Sequence, residues 1–204
     1  MKIYGDVHSG NCYKLKLLCS LLSIQHEWIA VDILKGESQT PEFLKLNPNG
    51  KIPLLVTDKG ECLAESNAIL FYLARNSDLL PDDALQQARV LQWQFFEQYS
   101  HEPYIAVARF IALYLGMPEH RKAEYESKQA GGNQALAVME EQLQKSPFLV
   151  GGQCTIADIS LYAYTHVASE GGFDLTSYPA ISRWLNRIQS LDGYVGMDDQ
   201  AFIP

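Results

Sequence analysis

The stretch Asn47-Pro48-Asn49-Gly50-Lys51-Ile52-Pro53-Leu54-Leu55, followed a short way on by Glu65-Ser66, decides how this chain is read. Asparagine and glycine turn the chain into Ile52, whose N–H and C=O are left to pair outward because the next residue, Pro53, cannot donate a ladder hydrogen bond. Proline at such a turn is also where a cis peptide is expected, since it cuts the trans preference to about 0.5–1 kcal/mol. Glu65-Ser66 falls where an apolar run at helical spacing begins (Ala68, Ile69, Tyr72, Leu73). The serine hydroxyl and the first free N–H groups of a helix would therefore point outward together. Taken singly, Ser66 reads as an N-cap and Pro53 as an edge-strand proline. At this spacing the pair suits a bound short peptide with a free carboxylate.

Working outward, Lys2 to Gly5 reads as a strand and Gly10 to Leu22 as a helix, with Leu15, Leu18, Leu21 and Leu22 at three- and four-residue steps. Glu27 to Val31 is β-rich, and Thr40-Pro41 opens a helix to Leu46. Leu54 to Thr57 is a strand closed by Asp58-Lys59-Gly60, implying a hairpin to Glu61-Cys62-Leu63. The order strand, helix, strand, helix, strand, strand, helix fits a small α/β sandwich with one antiparallel edge. It spans residues 1-77, and Asn76 to Asp83 reads as a linker.

From 84 to 204 strand signals largely vanish and the sequence predicts an all-helical bundle. Ala88, Leu91, Phe95, Tyr99, Ala106, Phe110 and Leu113 step along one long helix kinked at Pro103. Trp93, Phe95, Phe96 and Tyr99 read as core. Leu136, Met139 and Leu143 mark another helix, in which Gly131-Gly132 is discordant. Ile156, Ile159 and Ala163 mark a third, and Ile181, Trp184, Leu185 and Ile188 a fourth. Thr155-Ile156-Ala157-Asp158 is a capping-box variant, so Asp158 is expected to be buried and hydrogen-bonded, with a structural task.

The 204 residues are 47% hydrophobic and 20% charged, an ordinary globular composition. A formal charge of -8 and a pI near 5.1 disfavour nucleic acid or an anionic membrane as partner. Cys12, Cys19, Cys62 and Cys154 lack metal-type spacing, so no metal site is expected. No leader-like segment precedes the first strand, and no apolar run approaches the roughly 18–20 residues that cross a bilayer. The expectation is a cytoplasmic protein with reduced thiols.

Between the first strand and the first helix lies Val7-His8-Ser9-Gly10-Asn11-Cys12-Tyr13-Lys14. A thioredoxin-type redox site places C-x-x-C at this turn, the first cysteine activated by the helix end. Here Ser9 holds the first position and only Cys12 remains. A site able to stabilise a thiolate has lost its own, so the simplest inference is that a ligand such as glutathione brings it.

The chain resembles the cytosolic glutathione S-transferases nearly end to end, and within them a serine-type bacterial member of nu, theta or phi kind. The likeness is carried by the turn after the first strand, the N-P-N-G-K-I-P segment, A-E-S-N-A-I-L-F-Y-L, the linker and the late T-I-A-D-I-S helix start. The resemblance implies a thioredoxin-like N-terminal domain with a mixed four-stranded sheet, followed by an all-α domain lining the electrophile site. It also implies a detoxifying homodimer, with glutathione as co-substrate, no other cofactor, and a hydrophobic electrophile as second substrate. Ser9 would donate to the glutathione sulfur, and Asn11 would approach it as in some bacterial members. Ile52, ahead of cis-Pro53, would pair with the cysteinyl part, and Glu65 and Ser66 would grip the γ-glutamyl end. Lys51, then Gln39 and Lys35, would meet the glycine carboxylate, while His101, Tyr104 and Arg109 would line an electrophile pocket.

Two features depart from neighbouring classes. Tyr4 lies inside the first strand, too early to be a catalytic tyrosine, and reads as packing. Cys12 is not at the helix-start position that the cysteine of a thiol-transferase class holds. Lowering a thiol pKa by about two units takes about 2.7 kcal/mol, which one hydrogen bond and a helix end can supply. Alternatives to conjugation are a glutathione-dependent disulfide-bond reductase or peroxidase, and a non-catalytic glutathione-binding protein.

Overall fold

The structure, a computed structural model, describes residues 1–199. The chain divides into two compact units, one of Met1–Ser77 with the segment from Leu191 onward, the other Asp78–Ser190.

The first unit is thioredoxin-like. Strands β1 (Lys2–Gly5), β2 (Glu27–Ala30), β3 (Leu54–Val56) and β4 (Cys62–Ala64) form one sheet in the order β2-β1-β3-β4. β1 runs parallel to β2, joined by the crossover helix α1 (Gly10–Leu21), and antiparallel to β3. β3 and β4 are antiparallel across the tight Asp58-Lys59-Gly60 turn, Gly60 taking φ +81° where a side chain would be strained. Helix α2 (Pro41–Leu46) starts as its sequence requires, with the Phe43 amide donating to the Thr40 hydroxyl at 3.3 Å. Helix α3 (Ser66–Leu73) follows β4 directly. Tyr4 packs edge-on to Phe43, 6.2 Å between ring centroids, beside Val31 and Leu54, a packing residue as its place in the strand implies.

The helical domain expected over 84-204 has different ends. The second unit already begins at Asp78, and the residues from Leu191 join the first unit. The reason is chemical: three side chains of α1 bind carbonyls of that tail. Tyr13 donates its hydroxyl to Val195 O at 2.8 Å, the Lys16 ammonium donates to Met197 O and Asp199 O, and the Ser20 hydroxyl donates to Gly193 O.

In the second unit, α4 (Ala84–Phe96), α5 (Glu102–Arg109), α6 (Lys122–Lys145), α7 (Ile156–Thr165) and α8 (Pro179–Gln189) make the bundle. A π-helical stretch, Glu97–His101, joins α4 to α5, and a second, Phe110–Tyr114, extends α5. The first lies just ahead of Pro103, where the missing N–H and the ring disturb regular α-helix. Gly131-Gly132 does not interrupt α6. A Cβ on Gly131 would come within 2.2 Å of the Tyr104 ring, and one on Gly132 within 2.2 Å of Phe173, so both glycines permit close packing.

The long helix reverses the expected polarity. Its buried stripe is Val90, Gln94, Glu97 and His101, whereas Phe95 is 67% and Tyr99 86% exposed, so neither is core. Leu85 and Leu113 are exposed as well.

The Thr155–Asp158 box forms. Asp158 is buried and accepts from the Thr155 amide (2.9 Å), the Thr155 hydroxyl (3.0 Å), the Leu149 amide (2.8 Å) and the Trp184 indole (2.9 Å). Burial raises its pKa above the usual carboxylate range against the opposing pull of those hydrogen bonds. Glu140 of α6 caps α8, accepting from the Ala180 and Ile181 amides at 3.0 and 2.9 Å. Among the described residues no helix is long and apolar enough to cross a membrane.

Candidate functional site

The sheet register brings the two informative sequence segments to one end. Leu54 pairs with Ala64, so Ile52-Pro53 just before β3 and Glu65-Ser66 just after β4 leave the hairpin side by side. Tyr4 pairs with Leu54 on the other side of β3, which carries the β1 exit and its turn to Ser9 to the same end. The Ile52–Pro53 peptide is cis, with Pro53 buried and Ile52 half-buried. Glu65 precedes α3 with φ +69° and ψ 111°, a sparsely populated conformation for a residue with a Cβ. Such strain persists where surroundings hold it in place, and it concentrates at functional sites.

Ser9 is the N-cap of α1, and its hydroxyl oxygen accepts from the Cys12 amide at 3.5 Å. The first turns of α1 and α3 are joined by side chains. The buried Lys14 ammonium donates to the Ser66 hydroxyl at 3.2 Å, and that hydroxyl donates to Oδ1 of Asn11 at 3.2 Å. Two helix N-termini, two hydroxyls, an amide and a buried ammonium thus gather at one end of the sheet, an arrangement that favours anions.

The loop leading to Ile52 is held from within. Buried Asn47 donates its amide to Lys51 O at 2.7 Å and accepts from the Asn49 amide. Gln39 donates to Gly50 O at 2.7 Å, and Gly50 takes φ +61° with the Gln39 amide in the place a Cβ would need. Lys51 itself is exposed. Lys35 is paired to Asp32 at 2.9 Å.

Residues 1–75 match the family model for the glutathione S-transferase N-terminal domain and residues 82–192 that for its C-terminal domain. This chain belongs to the glutathione S-transferase family. A glutathione S-transferase crystal structure from Pseudomonas fluorescens is 60% identical, with a TM-score of 0.96 over 97% of this chain and 98% of that one. The disulfide-bond oxidoreductase YfcG of Escherichia coli is 32% identical over 88% of this chain and 86% of its own length. The glutathione transferase URE2P6 of Phanerochaete chrysosporium, solved in complex with oxidized glutathione, is 28% identical with a TM-score of 0.83, over 99% and 92% of the two chains.

In this member of the glutathione S-transferase family, two of the helical residues singled out for an electrophile pocket, His101 and Arg109, sit otherwise than expected. His101 is fully buried with Nε2 2.9 Å from the Thr165 hydroxyl, and Arg109, 4% exposed, is ion-paired with Glu170. Both are interior packing and bonding groups, because the buried stripe of the long helix is polar. Tyr104 is half-buried against Gly131, with the Lys128 ammonium 5.8 Å from its ring centroid.

Cys12 is fully buried, and burial pushes its thiol up to about 12 against the smaller opposing effects of Ser9, Lys14 and the Asp6 backbone. It stays protonated at neutral pH and is unfit as a nucleophile. Sequence reasoning passed over Lys14 and Asn47. A lysine amid Tyr13, Leu15, Leu17 and Leu18 was the available signal for the first, since an ammonium on a buried helix face needs a partner.

Proposed function

We propose that the chain is a glutathione transferase that stabilises the glutathione thiolate through Ser9 and conjugates it to hydrophobic electrophiles. What supports this reading above all is the convergence of Ser9, Asn11 and Ser66 at the joined N-termini of α1 and α3, beside the Ile52–cis-Pro53 edge. In the cap of α1 the Ser9 hydroxyl oxygen is an acceptor at 3.5 Å, which leaves its proton for a sulfur above the turn. Cys12 does not compete as nucleophile, so the sulfur comes from the ligand.

In this reading Ile52 pairs its main chain with the cysteinyl residue of glutathione. The exposed Glu65 carboxylate takes the γ-glutamyl ammonium, and the Ser66 amide at the start of α3 takes its carboxylate. Lys51 meets the glycine carboxylate, with Gln39 shaping the loop beside it and Lys35 held back by Asp32. The thiol proton leaves to water, and the thiolate attacks an electrophile held nearby. Glutathione enters as co-substrate and no metal is called for. The setting is the cytoplasm. The working form is a homodimer, supported by the exposed Leu85, Phe95 and Tyr99 on one helix.

A second reading, a glutathione-dependent disulfide-bond reductase, is favoured by Asn11 in the site network and by the oxidoreductase named among the relatives. Purified protein is assayed with glutathione and an aryl halide, and in parallel with glutathione and a mixed disulfide or hydroperoxide. Turnover of the aryl halide supports conjugation, and turnover of the disulfide alone transfers the assignment to the second reading. Calorimetry showing no glutathione uptake removes both. A monomer by sedimentation at micromolar concentration removes the dimer.

A further inference from the structure

The hydrogen bonds from Lys14 through Ser66 to Asn11 run in one direction. An ammonium has donors and no acceptor, so the Ser66 oxygen must accept from Lys14 at 3.2 Å. Accepting from a cation polarises that hydroxyl toward donating, and its O–H is directed at Oδ1 of Asn11, 3.2 Å away. The amide of Asn11 therefore has its oxygen occupied and its NH2 turned away from Ser66. Without Lys14 that polarisation is lost, and Ser66 accepts from the Asn11 NH2 as readily as it donates to Oδ1.

Lys14 is 0% exposed, and burying an ammonium costs several kcal/mol before its bonds offset the loss. An apolar residue would fill that position beside Leu15, Leu17 and Leu18 at no such cost. Its charge also reaches the first turn of α1, where it opposes the larger effect of burial on the Cys12 thiol.

We propose that Lys14 is a positioning residue for thiolate formation: through Ser66 it fixes the Asn11 amide with its NH2 presented to the sulfur of bound glutathione. This rests on the glutathione reading above. Lys14 touches neither substrate. It sets which end of Asn11 meets the sulfur, and a donor there favours the thiolate over the thiol whereas an acceptor would favour the thiol. The thiol proton still departs to water.

The test is a pH titration of the thiolate ultraviolet absorbance of glutathione bound at saturation to the full-length protein, in wild type, Lys14→Met, Asn11→Ala and the double variant. In wild type the midpoint should lie below that of free glutathione. Lys14→Met should raise it by about one pH unit, a roughly tenfold loss of thiolate on the acid side. The double variant should match Asn11→Ala alone. An unchanged midpoint in Lys14→Met overturns the proposal, as does an equal rise in the Asn11→Ala background, which would mean a bare electric field. If Lys14→Met does not fold, Ser66→Ala cuts the same chain one step on and is read in the same two backgrounds. A wild type that binds no glutathione, or binds it without a lowered midpoint, shows instead that the underlying reading has failed, and the proposal goes with it.

Discussion

The Cys12 amide lies 3.5 Å from the Ser9 hydroxyl oxygen, at the far limit of hydrogen bonding. A cap this long contributes little to α1, so the hydroxyl is held in place without being used up. Ser9→Ala should therefore cost no more than about 0.5–1 kcal/mol of stability. Its conjugation rate near neutral pH should fall roughly 10²-fold, the loss of one charge-assisted donor to the thiolate. Thermal unfolding and kcat/KM with an aryl halide read the two effects apart, and an undiminished rate would reduce Ser9 to a cap.

Cys62 is the exposed cysteine, while Cys12, Cys19 and Cys154 are buried. A disulfide reagent should modify one thiol quickly in the native protein and all four in denaturant. Burial also raises Cys12 and Cys19 from 9.0 to about 12. Between those values the folded chain keeps protons that the unfolded chain has released. The stability they confer is thus whole below pH 9 and drains away toward pH 12. Cys19→Ala should flatten that alkaline slope of unfolding free energy by up to about 1.4 kcal/mol per pH unit. An unaltered slope would mean that Cys19 ionises in the folded state.

Asp158 gathers four donors, two of them from outside its own helix turn, Leu149 and Trp184. Asp158→Ala leaves all four buried and unmatched and should cost about 3–5 kcal/mol. Asp158→Asn keeps an acceptor but aims an NH2 at one donor, and should cost less. Denaturant midpoints of the two variants check the order, and equal midpoints would mean that the box tolerates a second donor.

Alanine for glycine inside a helix ordinarily stabilises by about 1 kcal/mol. Within α6 the sign should reverse. The Tyr104 and Phe173 rings occupy the space that the new methyls of Gly131→Ala and Gly132→Ala would need. Overpacking of this kind costs about 1–3 kcal/mol, so both variants should melt below wild type. A higher melting temperature would show that the rings can withdraw freely.

His166 stacks on Tyr162 with centroids 4.7 Å apart, and burial lowers its pKa below 6.5. The unfolded chain then takes up a proton at a pH where the folded chain does not, so stability is present above pH 6.5 and declines as the pH falls below it. His166→Phe preserves the stack and removes the titration. Its unfolding free energy should fall less steeply than wild type between about pH 6.5 and 5, and an identical profile would assign the acid sensitivity elsewhere.

Local chemistry explains what could be read beforehand. The β1 and α1 starts, the Thr40 and Thr155 caps, the hairpin turn and cis-Pro53 are each specified by residues within a few positions of one another, and all appear as expected. What escaped depends on distant partners. Lys14 gains its role from Ser66, 52 positions away, and the tail beyond Leu191 gains its place from α1. The long helix misled because apolar spacing marks a face without saying what covers it. Phe95 and Tyr99 are open, while Gln94, Glu97 and His101 are enclosed by neighbours the sequence does not identify.

The tail bound by Tyr13, Lys16 and Ser20 imposes a timetable on synthesis. The ribosome delivers the sheet and α1 before the helical bundle, and the strip that α1 binds only after it. The fold of the first unit must wait, incomplete, for a segment translated after the bundle. A stop codon near Ser190 would accordingly injure the sheet unit, although every strand of it had already been made.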